Sequence, residues 1–133
     1  MRPNTMNHLE QVFHMWQMLY AKDQDPKSVI DDFFHEDYSQ SINGVILNKD
    51  EHIQHVIEQR KHIQTMAFEC KTHMSQNNQL FMIYDAKGIN TQGDELIAEV
   101  IAYFEFKDKK IFKIHGQVHL LKGNPSDVDM SEE

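Results

Sequence analysis

Nine histidines in a chain of 133 residues are the first place to look for chemistry. His52, His55 and His62 stand at i, i+3 and i+10 in a helical stretch, so His52 and His55 could reach one metal ion, or could line a solvated polar face. His115 and His119 are two alternations apart on one strand, about 13 Å along it, too far to share an ion. His35-Glu36-Asp37 puts an imidazole beside carboxylates where the chain enters a strand. Such a pair can move protons, or can simply close a polar helix end. Asp85 sits between apolar neighbours, and a carboxylate turned inward there would mark a site. The catalytic candidates are therefore His35, Asp37 and Asp85. Cys70 is the single cysteine. It rules out a disulfide framework and a thiolate zinc site, and in an apolar strand it reads as packing.

The elements that must position these residues follow from a change of period near residue 65. Before it, apolar residues recur at helical spacing; after it they alternate. A first helix runs from about Thr5, its expected cap, to Ala21, with Leu9, Val12, Phe13, Trp16, Leu19 and Tyr20 on one stripe. Asp25-Pro26 opens a short second helix to about Phe34. Tyr38–Ile42 and Val45–Leu47 flank Asn43-Gly44, the signature of a type I′ hairpin. Asn48 and Glu51 resemble a capping box for a third helix reaching Gln64 and burying Ile53, Val56, Ile57 and Ile63. Strands follow at Ala67–Ser75, Leu80–Lys87, Leu96–Phe106 and Ile111–Leu121, with a loop at Gly88–Asp94. Helices first and an antiparallel sheet afterwards describe an α+β domain with helices on one face of a curved sheet.

Alternation sorts the last hairpin into two faces. Ala98, Val100, Ala102, Phe104 and Phe106 oppose Phe112, Ile114, Gly116, Val118 and Leu120 on an apolar inner face. Small residues among rings leave room for a pocket, or simply accommodate Trp16 and Phe104 in a solid core. Trp16, Tyr20, Tyr38 and Gln40 bring polar groups inward. The residues expected to contact a ligand are Trp16, Tyr20, Tyr38, Gln40, Ala102, Phe104, Ile114 and Val118. On the outer face Glu105 should oppose Lys113, Tyr103 His115, and Glu99 His119. Ile97, Ile101, Tyr103, His115, Gln117 and His119 make that face too apolar for open solvent, the mixture of a homodimer interface.

Composition limits the partners. A formal charge of −8 argues against nucleic acid and anionic membranes. Lys107, Lys109 and Lys110 are interrupted by Asp108 and read as a solvated hairpin tip. One domain is expected over residues 1–121, with residues 122–133 an acidic mobile tail. No apolar leader or membrane-length segment is evident, so a reducing, cytoplasmic setting is expected. No cofactor or metal is expected.

The arrangement resembles the nuclear transport factor 2-like superfamily, in particular its SnoaL-like branch, over roughly Met6 to Leu121. The carriers are the long first helix ending near Tyr20-Ala21-Lys22-Asp23, Phe34-His35-Glu36-Asp37-Tyr38, Asn43-Gly44, Val100-Ile101-Ala102-Tyr103-Phe104-Glu105-Phe106 and Lys110-Ile111. The resemblance implies a cone, or cystatin-like roll: N-terminal helices packed on a strongly curved mixed, mostly antiparallel sheet. It also implies sheet-to-sheet dimers and a small apolar ligand. Ketosteroid isomerase-like members use a carboxylate base where this chain has Gln40-Ser41-Ile42-Asn43, and a protonated Asp near Ala102. Both positions lack an acid, and Tyr20 is a match to their first-helix tyrosine. The resemblance therefore implies an apolar-ligand domain without isomerase chemistry. The alternatives are an acid–base enzyme using other residues, a non-catalytic dimerisation or accessory module, or a histidine-based metal enzyme.

Overall fold

The computed structural model describes residues 7–123. Among the described residues there are three helices, α1 (His8–Leu19), α2 (Pro26–Phe33) and α3 (Lys49–Arg60). Between α2 and α3 lie β1 (Phe34–Ile42) and β2 (Val45–Asn48); β3 (Ile63–Gln76), β4 (Gln79–Asn90), β5 (Glu95–Lys107) and β6 (Lys110–Lys122) follow α3. The six strands form one open sheet in the order β2-β1-β6-β5-β4-β3. Among the described residues only β1 and β6 pair in parallel, and the other pairings are antiparallel. The expected α+β architecture, with helices packed on a mixed, mostly antiparallel sheet, is present.

Local chemistry explains the boundaries. A capping box starts α1: Glu10 N–H donates to Asn7 Oδ1 (2.8 Å) and Asn7 N–H to Glu10 Oε1 (3.0 Å). The cap expected at Thr5 lies outside the described residues. Asp25 caps α2 ahead of Pro26, whose missing N–H costs nothing at a first helical position. Asn48 and Glu51 form the expected reciprocal box on α3. Asn43 and Gly44 hold φ values of 52° and 83° at the β1–β2 turn, the left-handed pair of a type I′ hairpin. The Asn43 side chain also reaches β6, accepting from Val118 N–H at 2.8 Å.

Several expected boundaries move. His35, Glu36 and Asp37 do not end a helix; they belong to β1, which begins at Phe34. The third helix ends at Arg60, and the turn at Lys61-His62 hands Ile63 to β3, where it packs with Leu96. Strand structure continues through Gly88, Ile89 and Asn90, shortening the expected loop to 91–94. Lys122 is the last residue of β6, and the acidic tail beyond residue 123 lies outside the described residues.

The register of the last hairpin is as expected, with Glu105 opposite Lys113, Tyr103 opposite His115 and Glu99 opposite His119. Phe112 is the exception on the inner face. Phe106 pairs with Ile111 while Glu105 pairs with Lys113, so Phe112 is the extra residue of a bulge. Ile111 takes the buried place, and the Phe112 ring turns toward His35 (5.3 Å) and the Lys107 ammonium (5.1 Å).

Candidate functional site

The inner sheet face and the helices enclose a cavity of about 110 Å³. Its origin is a row of low relief across the sheet. Met82 pairs with Ala102, Ala102 with Gly116 and Gly116 with Ile42, so two adjacent strands present a methyl and a hydrogen side by side. Ala86 and Ala98, also paired, repeat the pattern four residues along. Facing this shallow floor, α1 brings Trp16, whose indole stacks on Phe68 at 4.1 Å and lies 4.6 Å from Tyr84. A Cβ at Gly116 would sit 3.1 Å from the Ile101 carbonyl oxygen and 3.4 Å from the Ala102 methyl, a tight fit that the glycine avoids. Half-buried Tyr20, Ile42, Met66, Phe68 and Val118 form the more exposed part of the lining.

Polar groups on this wall are few and uncharged. Gln40 is 2% exposed, and its Oε1 accepts from the Tyr38 hydroxyl at 2.7 Å. Burial pushes Tyr38 well above the usual phenol range, so that hydroxyl keeps its proton. Gln40 Nε2 meets no acceptor. His52, on α3, is 7% exposed; neither of its ring nitrogens has a hydrogen-bond partner, and the Phe34 and Tyr38 rings lie 5.2 and 5.4 Å away. Burial, reinforced by nearby His55, lowers its pKa to about 3, so the imidazole is neutral at physiological pH. Tyr20, pushed up to about 12 by burial, donates to Gln59 Oε1 at 3.0 Å. Among the described residues, no Asp, Glu, Lys or Arg lines the cavity.

Of the residues expected to contact a ligand, Trp16, Tyr20, Gln40, Ala102, Phe104, Ile114 and Val118 line the cavity. Tyr38 is buried beside it and acts through Gln40. The three catalytic candidates are elsewhere. His35 is buried, but its Nδ1 accepts from Asp37 N–H (2.9 Å) and its Nε2 faces the exposed Asp108 carboxylate (3.3 Å), so the acid beside it is Asp108. Asp37 is exposed. Asp85 faces outward in a row with Glu69 and Glu99, and Lys71 bridges it (3.3 Å) to Glu99 (2.7 Å).

Gln59 escaped the sequence reading, and His52 entered it as a metal ligand or part of a solvated face, not as cavity lining. With Val56 they stand at i, i+4 and i+7, a single inward stripe of α3. That spacing was available, but a histidine beside Ile53 reads more readily as the edge of a polar face. His52 lines the cavity, whereas His55 borders a surface depression with Asp50, Glu51 and Glu58, so the two are not turned toward a common ion. Burial raises the Cys70 thiol, the opposite of what a nucleophile needs.

Comparison with known proteins places this architecture. Solved structures that share it include IdmH from Streptomyces antibioticus, put forward as a polyketide cyclase, with a TM-score of 0.68 at 8% identity, covering 83% of this chain and 90% of that one. An NTF2-like protein of unknown function from Burkholderia pseudomallei gives 0.66 at 10% identity, over 84% and 90%. An LEH-like epoxide hydrolase of M. tuberculosis gives 0.63 at 9% identity, over 82% and 83%. Over 98 residues the chain is 28% identical to an uncharacterized protein of Schizosaccharomyces pombe, covering 74% of this chain and 75% of that protein. No protein-family model matches the chain. These likenesses show the fold, which is that of the NTF2-like and ketosteroid isomerase-like proteins.

Proposed function

We propose that this NTF2-like domain binds a small, uncharged, mostly apolar molecule inside its cone. The observation that carries the reading is the cavity itself: about 110 Å³ of space walled by Trp16, Phe104, Tyr84 and the small residues of the sheet floor. Close-packed interiors leave few voids larger than a water. A cavity of roughly 150 Å³ with apolar walls takes up benzene, so this one suits a ring or short branched chain. A longer ligand would emerge past Tyr20, Phe68 and Val118. Charged ligands are disfavoured because no ionised side chain lines the wall to repay their desolvation.

The lining argues for binding without carbon-to-carbon proton transfer by a carboxylate. Such a base typically contributes about 10²–10⁴-fold, and Gln40-Ser41-Ile42-Asn43, the stretch that the resemblance matches to it, holds no carboxylate. Turnover of a 5-ene-3-ketosteroid well above background would contradict this. The binding reading is tested by mass spectrometry of small molecules released from natively purified protein, together with an Ala102→Leu variant that fills the floor. Wild-type protein should release or take up a neutral apolar compound, and the variant should not. Equal uptake by both would place the ligand elsewhere.

A second reading, a dimerisation or accessory module, is favoured by the outer sheet face. Met74, Phe81 and Ile101 are 68%, 40% and 44% exposed there; Met74 pairs with Phe81, Phe81 with Tyr103, Tyr103 with His115 and Ile101 with Gln117, on the face that also carries Ile97 and His119. The two readings are compatible, since the faces are opposite. Among the described residues no helix is long and apolar enough to cross a membrane.

A further inference from the structure

The apolar cavity carries hydrogen-bond donors that the protein itself does not use. Tyr38 has a proton to give and Gln40 Oε1 takes it at 2.7 Å, which turns the Gln40 carboxamide so that both Nε2 hydrogens remain free. His52 adds a neutral imidazole with one N–H, and neither ring nitrogen is partnered. Both side chains are more than nine-tenths buried, and both line the same cavity. Buried polar groups in folded proteins are nearly always paired, because an unmet donor forfeits its hydration for nothing in return. On this wall the unmatched N–H groups outnumber the acceptors, so the missing partner is an acceptor. It is uncharged, since no cation lines the cavity to meet a carboxylate or phosphate.

We propose that the ligand of this cavity carries a carbonyl group, seated between β1 and α3, whose oxygen accepts hydrogen bonds from Gln40 Nε2 and the His52 imidazole while its apolar body fills the floor at Ala102 and Gly116. An sp² oxygen has two lone pairs and so can accept from both donors at once. Gln40 acts here as a specificity residue, oriented by Tyr38, and His52 of α3 as its partner in the same cavity. The inference rests on the ligand-binding reading above and adds the chemistry of one end of the ligand.

Cyclohexanone and methylenecyclohexane differ only by C=O against C=CH₂, and serve as matched probes in NMR titrations that follow the indole N–H of Trp16. Gln40→Leu should weaken the ketone about tenfold or more, the usual worth of a buried hydrogen bond whose loss also leaves the ligand oxygen dry, and should leave the hydrocarbon unchanged or tighter. His52→Phe should act in the same direction and stands in if Gln40→Leu does not fold. Wild-type protein alone supplies a further measurement: the carbonyl carbon of bound 1-¹³C-cyclohexanone should resonate downfield, as in water. A hydrocarbon-like position, or variants that weaken both probes equally, would overturn the carbonyl subsite while leaving apolar binding intact. Binding of neither probe would overturn both readings.

Discussion

The neutral histidine in the cavity wall should make this protein acid-sensitive in a defined way. Burial and His55 hold His52 near 3 in the folded state, against about 6.5 for a histidine in the unfolded chain. Between those values the unfolded chain binds a proton that the folded one refuses, so stability is full above pH 6.5 and falls as pH drops toward 3. Each pH unit in that window costs about 1.4 kcal/mol per proton. The loss should be about 2 kcal/mol at pH 5 and on the order of 4–5 kcal/mol if the whole window were crossed. Urea unfolding of wild type and His52→Phe between pH 7.5 and 5.0 isolates this contribution, because the other histidines are common to both proteins. Wild type should lose about 2 kcal/mol more than the variant over that range. Parallel stability profiles, or a His52 imidazole seen by NMR to titrate near 6.5, would refute the reasoning.

Other expectations follow from the two faces of the sheet. Ala102→Asp places a carboxylate in a wall without cations and should cost roughly 3–5 kcal/mol, whereas Glu99→Ala, which only loosens the partly exposed pair with Lys71, should cost under about 1 kcal/mol. Equal shifts of the two denaturation midpoints would place the β5 register one residue out. Gly88→Ala should destabilise by about 1–3 kcal/mol, since its Cβ would lie 2.6 Å from the Thr65 carbonyl oxygen and 2.7 Å from Met66 Sδ; an unchanged melting temperature would contradict that packing. A homodimer through the outer face should be visible by light scattering and lost in Tyr103→Glu, and a monomeric wild type would exclude it.

Much of the sheet was legible because strand parity is strict. Once the turn near Asp108 was located, every pair from Glu105 to Glu99 followed, and Ala102 and Gly116 were assigned to the cavity side. The Phe112 bulge was invisible because alternation carries no mark of an inserted residue. The start of β1 was hidden for another reason: Glu36 and Asp37 are exposed and offer no apolar alternation. Gln40 was readable from parity, while His52 was not. Its meaning depends on the absence of a partner, which only three-dimensional packing reveals.

The hook of Asn43 onto Val118 joins positions 75 residues apart, and the parallel β1–β6 seam around it is similarly distant in sequence. The β3–β6 meander, by contrast, closes through short turns. Loop-closure entropy makes distant pairings late and local ones early. The meander should therefore assemble first as a bare curved floor, and the strand bearing Gln40 should dock onto it afterwards, completing the binding wall as the last event of folding. Pulse-labelled amide exchange would show β4 and β5 protected before β1. Simultaneous protection would mean that wall and floor form as one unit.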